Sequence, residues 1–587
     1  MSNEKINKRI NLLKIITLLI FLVIIYKLTY IQIIKHDLYN EKYKETFKYV
    51  YSLTAPRGRI YDRNGILLVD NEATNVIRYS NIGLTKDEEN ETILKLSKII
   101  NMDEKEIRKK MNSSYAFDIK TIKENASEKE YALLAEQNLK GIILDLNWKR
   151  VYRTKYFKSM FGNIGDIPSE KKDYYLKLGY SLNDKVGTSF IEEAYDEILK
   201  GEKSKYILKN NKYELVKEGK RGNDIYLTID IKLQEKVEKI LDEEIKKAKK
   251  EENTKYYDHS YVIVSNPNTG EILAMAGKKI IKNKMFDITP EILTTTIQGG
   301  SSVKAASNIV GYQTGTLKIG ETRKDYCIKL RNLNAKCSWK TLGILNDLDA
   351  LKYSSNSFQY QTAIKVGKGK YKYNGNLKLK DDTLDIYRKT FKEFGLGVKT
   401  GIDLKESAGF IGNKKNSELI LDFAVGQYDT YTPLQFNQYI NTIANNGNRL
   451  KPLILKAYQK NGKLVETEKE TLNTLSIASK FLNRVKKGLR MVMDIGGTGH
   501  SYINSKYKAA GKTGTSTSYL DLNKDGIVET PTTSNIFVGY APYDKPIVSF
   551  TVISPNVRLA YGSSNHKTSV NKKISYQVSQ KFFEIYK

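Results

Sequence analysis

The chain has 587 residues, and 97 Lys+Arg against 66 Asp+Glu leave a formal charge of +31. A 40% hydrophobic share excludes wholesale disorder, 39 Gly and 10 Pro exclude collagen-like or proline-rich material, and two Cys exclude a disulfide-framed scaffold or multi-site zinc modules. The lysines are spread along the chain with no zinc finger, RNP-type motif or concentrated basic arm, so no nucleic-acid partner is expected; a diffuse basic surface serves solubility or meets anionic membrane and wall polymers.

Residues Ile15 to Tyr26 form an unbroken apolar run. With Lys14 and Lys27 snorkelling, a transmembrane anchor is predicted over 12–34, long enough for ~30 Å of hydrocarbon. The bulky Lys27, Leu28, Tyr30 and Ile31 behind it offer no small-residue cleavage site, so the anchor is read as retained, after a cytoplasmic tail over 1–11. Lys5, Lys8, Arg9 and Lys14 before the span balance Lys35, Lys42, Lys44 and Lys48 after it, which leaves orientation to the chemistry.

From Tyr39 to about Glu252, short β-like runs alternate with charged helical patterns. Leu233, Val237, Ile240, Leu241 and Ile245 predict a helix over 231–250, with Asp230 as N-cap and Lys246 to Lys250 at its cation-favouring end. The polar stretch Glu251 to Lys255 then marks a boundary between a mixed α/β pedestal domain, 35–255, and a second domain, 256–587. In the second, Tyr261–Val264 and Ile272–Met275 flank a turn-rich Asn266 to Gly270, a hairpin signal. Ile536–Tyr540 and Ile547–Val552 flank Pro542 to Pro546, and helical stretches such as Ala478–Val492 lie between the two strand pairs. The expected fold class is α+β, with a central antiparallel sheet packed by helices.

Three short motifs follow one another in this domain: Ser301-Ser302-Val303-Lys304, Ser354-Ser355-Asn356 and Lys512-Thr513-Gly514-Thr515. S-x-x-K recurs elsewhere in so lysine-rich a chain, so the weight lies in the conjunction and order of the three. On a helix, positions i and i+3 share a face and bring Lys304 towards the Ser301 hydroxyl. A serine nucleophile needs a base, and a lysine serves as one when burial or a nearby cation lowers its pKa; Lys512 would supply such a cation. Gly299 and Gly300 permit a tight helix entry whose N–H groups could face an oxyanion. Gly514 would let a ligand backbone lie against its strand, and Lys512, Thr513 and Thr515 can bind a carboxylate.

With these motifs the chain resembles the class B penicillin-binding proteins, membrane-anchored peptidoglycan D,D-transpeptidases. The resemblance extends to Arg57-Gly58-Arg59-Ile60-Tyr61-Asp62-Arg63-Asn64-Gly65, to Gly187-Thr188-Ser189-Phe190-Ile191-Glu192, to Leu227 to Asp230, to Thr269 to Met275, to Phe394 to Gly397, and to Gly426-Gln427 and Thr432 to Gln435. It implies an elongated pedestal of the dimerisation type, no cofactor and no metal. It implies that Ser301 attacks the penultimate D-Ala of a stem peptide, with Lys304 as proton acceptor, Ser354 as relay and Asn356 holding the donor peptide. Lys512, Thr513, Gly514 and Thr515 would line the carboxylate site, and the N–H groups of Ser301 and Thr515 would form the oxyanion hole. β-Lactam antibiotics would acylate the same serine, a multispanning glycan polymerase would be a partner, and the catalytic domain would stand outside the cell membrane. Rivals are a D,D-carboxypeptidase, a β-lactam sensor or β-lactamase, and an assembly scaffold with dispensable catalysis. Phe190 departs from the pattern, since the family often has Gly there, and Gly299-Gly300 replaces the frequent Pro-Gly.

Cys327 and Cys337 leave three states open: a local disulfide, free thiols, or half of a zinc site. Asp521 to Gly526 begins like a calcium loop, but Thr532 stands where such a loop needs Glu, so a polar turn is expected. The four His, at 36, 259, 500 and 566, are scattered and support no histidine-based catalysis.

Overall fold

The computed structural model describes residues 3–35, 51–53, 55–81, 84–112, 119–181, 184–209, 212–251, 254–414, 416–522, 525, 529–560 and 568–586. The chain forms two compact units, each drawn from separated stretches. Met1–Gly58, Asn71–Val151 and Lys200–Gly222 make the first; Arg59–Asp70, Tyr152–Leu199 and Asn223–Lys587 make the second. The stretch expected as one pedestal, 35–255, therefore contributes to both.

The first unit opens with a helix, Asn3–Thr29, that runs into a wider turn, Tyr30–Ile34. Large apolar side chains from Ile15 to Tyr26 stand exposed along it. Among the described residues no helix is long and apolar enough to cross a membrane. The uninterrupted apolar run itself spans ~18 Å at ~1.5 Å per residue, within a helix of 27 residues. Further on, Tyr51–Leu53 pairs antiparallel with Ser204–Lys209, which pairs with Lys212–Lys217. The helices Lys86–Ile100 and Glu128–Gln137 start at capping boxes, Thr85 with Glu88 and Ser127 with Glu130. They bury Ile93, Leu96, Ile100 and Leu134 against Ile77, Tyr79 and Ile122 of a sheet.

The second unit is built on one sheet. α1 (Ile231–Ala248) leads into β1 (His259–Ser265), β2 (Ile272–Ile281) and β3 (Lys284–Asp287). After α2 (Lys304–Gln313), α3 (Asn356–Val366), α4 (Pro433–Ala444) and α5 (Ser479–Val492) come β4 (Ala510–Leu520), β5 (Thr530–Ala541), β6 (Val548–Leu559) and α6 (Val570–Ile585). The six strands pair antiparallel in the order β3-β2-β1-β6-β5-β4. Successive side chains on a strand point to opposite faces. Val262, Val264, Phe550 and Val552 accordingly pack with Leu233 and Val237 of α1 and Ile574 and Val578 of α6. Tyr261, Ile263, Ile536 and Val538 pack with the cluster that holds Phe436 and Ile440 of α4. Both faces are covered by helices, which is the α+β layering expected.

The segment resembling the family hallmark is fastened inside this unit from Arg59 onward. Asp62, fully buried, accepts from the N–H groups of Asn64 and Ile66, each at 2.8 Å, and from Ile231 N at 3.2 Å. Asp230 caps α1 through Lys232 N and Leu233 N and accepts from Asn64 Nδ2 and the Tyr586 hydroxyl. The sequence made Asp230 an N-cap; its tie to the distant Asn64 emerges only in three dimensions. At the second family segment, Phe190 adopts φ +46°, a left-handed conformation that costs a residue with a Cβ about 1–2 kcal/mol and glycine nothing comparable. That is the backbone reason for glycine at this position, and Phe190 offsets the cost by packing against the core.

Candidate active site

The Ser301 turn is defined by three close approaches of glycine. Gly300 has φ +49° and opens a 3₁₀ turn, Gly300–Val303, that passes directly into α2. A Cβ on Gly300 would lie 2.3 Å from the Thr515 carbonyl oxygen, one on Gly426 2.2 Å from the Gly300 carbonyl oxygen, and one on Gly514 2.7 Å from that of Gly299. Gly300 N–H also donates to Gly426 O at 2.7 Å. The turn is thus held between β4 on one side and the Gly426 loop on the other. Gly514 was expected to make room for a ligand backbone; the space its missing side chain leaves is filled by Gly299 and Ser302. Ser301 was expected on a helix with Lys304; it lies in the 3₁₀ turn that leads into α2, and the three-residue repeat of that turn aligns i with i+3 directly. It is partly exposed, and its hydroxyl has no hydrogen-bond partner among the described residues.

The two lysines meet at the second motif. Lys304 is fully buried and donates to Ser354 O at 2.8 Å, to Asn356 Oδ1 at 2.6 Å and, more weakly, to Ser354 Oγ at 3.3 Å. Lys512, also fully buried, donates to the same Ser354 Oγ at 3.0 Å and to Thr513 O at 2.9 Å. Ser354 holds φ +59°, a strained backbone, with its carbonyl facing Lys304 and its hydroxyl facing both ammonium groups. Burial and the neighbouring Lys512 cation push Lys304 well below the usual lysine range, while the Asp325 carboxylate acts in the opposite direction. Burial alone brings Lys512 down to about 7. Lys304, Ser354, Asn356, Lys512 and Thr513 therefore form one hydrogen-bonded cluster, and Gly514 and Thr515 stand against the Ser301 turn.

Four further residues complete the surroundings. The Thr513 hydroxyl donates to that of Thr498 at 3.1 Å, and Thr498 N–H donates to Lys352 O. Gln427 spans the edge of β4, donating to Thr515 O at 3.3 Å and accepting from Thr517 N at 3.2 Å. Asp325 and Ser338 sit beside the Ser354–Asn356 turn. Gln427 stood in a family-like dipeptide without a role; Asp325 and Ser338 had only their nearness to the cysteines as a signal. Cys327 and Cys337 form a disulfide, which removes the free-thiol and zinc readings. Among the described residues no group of three or more His, Cys, Asp or Glu could hold a metal ion. Half of the Asp521–Gly526 stretch, residues 523, 524 and 526, lies outside the described residues, as do His36 and His566.

Ser301 is partly exposed three positions before the buried Lys304, and Lys304 and Lys512, both pushed down in pKa, face the Ser354 hydroxyl. A serine and lysines of lowered pKa are groups that nucleophilic acyl transfer can use without histidine. The family model for the penicillin-binding protein transpeptidase domain matches residues 260–576, and that for the penicillin-binding protein dimerisation domain matches residues 52–227. Penicillin-binding protein 2A of Bacillus subtilis (strain 168) is 34% identical, over 98% of this chain and 93% of its own length. A peptidoglycan D,D-transpeptidase MrdA of Acinetobacter baumannii is 24% identical over 92% of this chain and 84% of its own. Among solved structures, penicillin-binding protein 2B of Streptococcus pneumoniae (strain 5204) superposes with a TM-score of 0.78 at 25% identity, covering 91% of this chain and 99% of that one.

Proposed function

The chain belongs to the class B penicillin-binding proteins and is a peptidoglycan D,D-transpeptidase of cell wall synthesis, and we propose the following roles for its residues. Ser301 Oγ attacks the carbonyl carbon of the penultimate D-Ala of a donor stem peptide, and its proton passes to Lys304. Lys304 is the base because it carries the extra cost of the Lys512 cation beside it, so it is the first of the two to be neutral. Ser354, hydrogen-bonded to both lysines, relays a proton to the departing D-Ala amine as the C–N bond breaks. The acyl ester on Ser301 is then attacked by an amine of a second stem, whose proton returns through the same relay, and a new amide cross-link releases the serine. Asn356 orients the donor, Lys512, Thr513 and Thr515 bind its terminal carboxylate, and the N–H groups of Ser301 and Thr515 receive the oxyanion.

The convergence of Lys304 and Lys512 on the Ser354 hydroxyl, next to the Ser301 turn, carries this reading. Labelling with a fluorescent penicillin followed by peptide mapping tests it: the label is expected on Ser301, and a label on any other serine overturns it.

The same proposal places the catalytic unit outside the cell membrane, with 12–34 as a single anchor behind a short tail, the pedestal function within 35–255 and the transpeptidase chemistry within 256–587. The exposed apolar side chains from Ile15 to Tyr26 support the anchor, as lipid or a neighbouring membrane helix would cover them. A multispanning glycan polymerase is the corresponding partner.

A further inference from the structure

We propose that Asp325 is a positioning residue for the reaction, setting Lys304 and Asn356 through the hydroxyls of Ser338 and Ser355; the proposal rests on the reading of Ser301 and Lys304 given above. Asp325 is 8% exposed, and a carboxylate so buried needs partners. Its Oδ2 accepts from Ser355 Oγ at 2.5 Å and from Ser338 Oγ at 2.7 Å. With its proton committed to the carboxylate, Ser338 Oγ turns its lone pairs outward and accepts from Asn356 N at 3.0 Å and Ser357 N at 3.3 Å. Ser355 Oγ does the same for Phe358 N at 3.0 Å. The first turn of α3 therefore has its free N–H groups taken by two hydroxyls that one carboxylate orients.

The consequence reaches the base through Asn356. Asn356 Nδ2 donates to Cys337 O at 3.0 Å, so its Oδ1 is left to face Lys304 Nζ at 2.6 Å. Ser338 and Cys337 are neighbours in one segment, and the Cys327–Cys337 disulfide ties that segment to the one bearing Asp325. A direct electrostatic effect accompanies the geometric one. Asp325 and Lys512 are the charged groups that act on Lys304, from the disulfide loop and from β4; α2 carries no other charged residue, and the α3 turn offers only Ser354 and Asn356. Asp325 favours the protonated base and Lys512 the neutral one, so the carboxylate sets where the base titrates as well as where it sits.

The test uses the full-length chain and follows the rate of acylation by a fluorescent penicillin from acid to alkaline pH, the label first mapped in the wild type. For Asp325→Asn, the acid limb of the profile is expected to move down by about half a pH unit or more, because one favourable charge is lost, and the plateau is expected to fall about tenfold. Asp325→Glu should return the limb towards the wild-type position. Ser338→Ala keeps the carboxylate and should lower the plateau severalfold with the limb unmoved. A wild-type limb position in Asp325→Asn overturns the proposal, even if its plateau or melting temperature falls. Should Asp325→Asn fail to fold, a Ser338→Ala plateau equal to wild type overturns it. A wild-type label on a serine other than Ser301 instead sinks the catalytic reading on which the proposal rests.

Discussion

Lys304 and Lys512 donate to one and the same oxygen, the Ser354 hydroxyl, from 3.3 and 3.0 Å. Two fully buried ammonium groups on one hydroxyl cannot both stay charged at neutral pH without a large cost, and a site in which one is neutral has its base ready.

That arrangement sets the pH dependence. Acylation by penicillin should rise with pH along a limb lying at or below neutrality, as Lys304 loses its proton, and a profile flat between pH 5 and 8 would refute Lys304 as base. Stability follows the same groups. The folded pKa of Lys512, about 7, lies below its ordinary 10.5, so between these values the unfolded chain holds the extra proton. Stability should therefore climb with pH across that window, with the penalty fully present below about 7. Denaturant melts at pH 6.5 and 9 check the sign.

Replacing the base separates chemistry from folding. Lys304→Met should cut the acylation rate about 10²- to 10⁴-fold, the usual share of a general base. Because it removes a buried charge and keeps an unbranched side chain of similar length, its melting temperature should stay within a few degrees of wild type. Parallel melting and acylation measurements decide the matter, and a collapsed fold would assign Lys304 a structural role.

Gly300→Ala should be severe although it adds one methyl group. The new Cβ would lie 2.3 Å from the Thr515 carbonyl, on a backbone at φ +49°. A loss of about 2–4 kcal/mol, or displacement of the Ser301 turn with loss of acylation, is expected. Urea melts read the first and penicillin labelling the second; a variant wild-type in both would contradict the contact.

Both cysteines are exposed, so a mild reductant should reach their disulfide. The double change Cys327→Ser with Cys337→Ser is expected to cost about 2–3 kcal/mol by freeing a short loop, and to slow acylation, since Cys337 O holds Asn356 Nδ2 at 3.0 Å. Thiol titration with melts of the oxidised and reduced protein measures the first effect, and penicillin labelling the second.

Asp62→Ala should destabilise without touching the chemistry. It strands the N–H groups of Asn64, Ile66 and Ile231, for an expected loss of about 2–3 kcal/mol. Acylation of the folded fraction should remain at the wild-type rate, and a melt with active-site titration separates the two.

Much of this was readable before any fold. The alternation of Tyr261 to Val264, the helical spacing from Leu233 to Ile245 with Asp230 before it, and the ordered motifs at Ser301, Ser354 and Lys512 are properties of neighbouring residues, and local backbone preference acts on neighbours. These were enough for the antiparallel sheet, the α1 cap and the list of reactive groups. They were not enough for the division into units, because a discontinuous unit leaves no compositional seam at 58, 71 or 200.

What the amino-acid order determined, then, is which chemical groups exist and in what local conformation they are offered: a serine in a glycine turn, two lysines, a serine–asparagine helix start. The tertiary structure decided their state. Lys512 reaches Ser354 across 158 positions, Gly514 is taken up by Gly299, and Asp325 acts on Lys304 through its charge and, by way of Ser338, on Asn356. Proximity and loss of water move an ionisation equilibrium, and both arise only when distant segments pack, so no spacing along the chain could contain them.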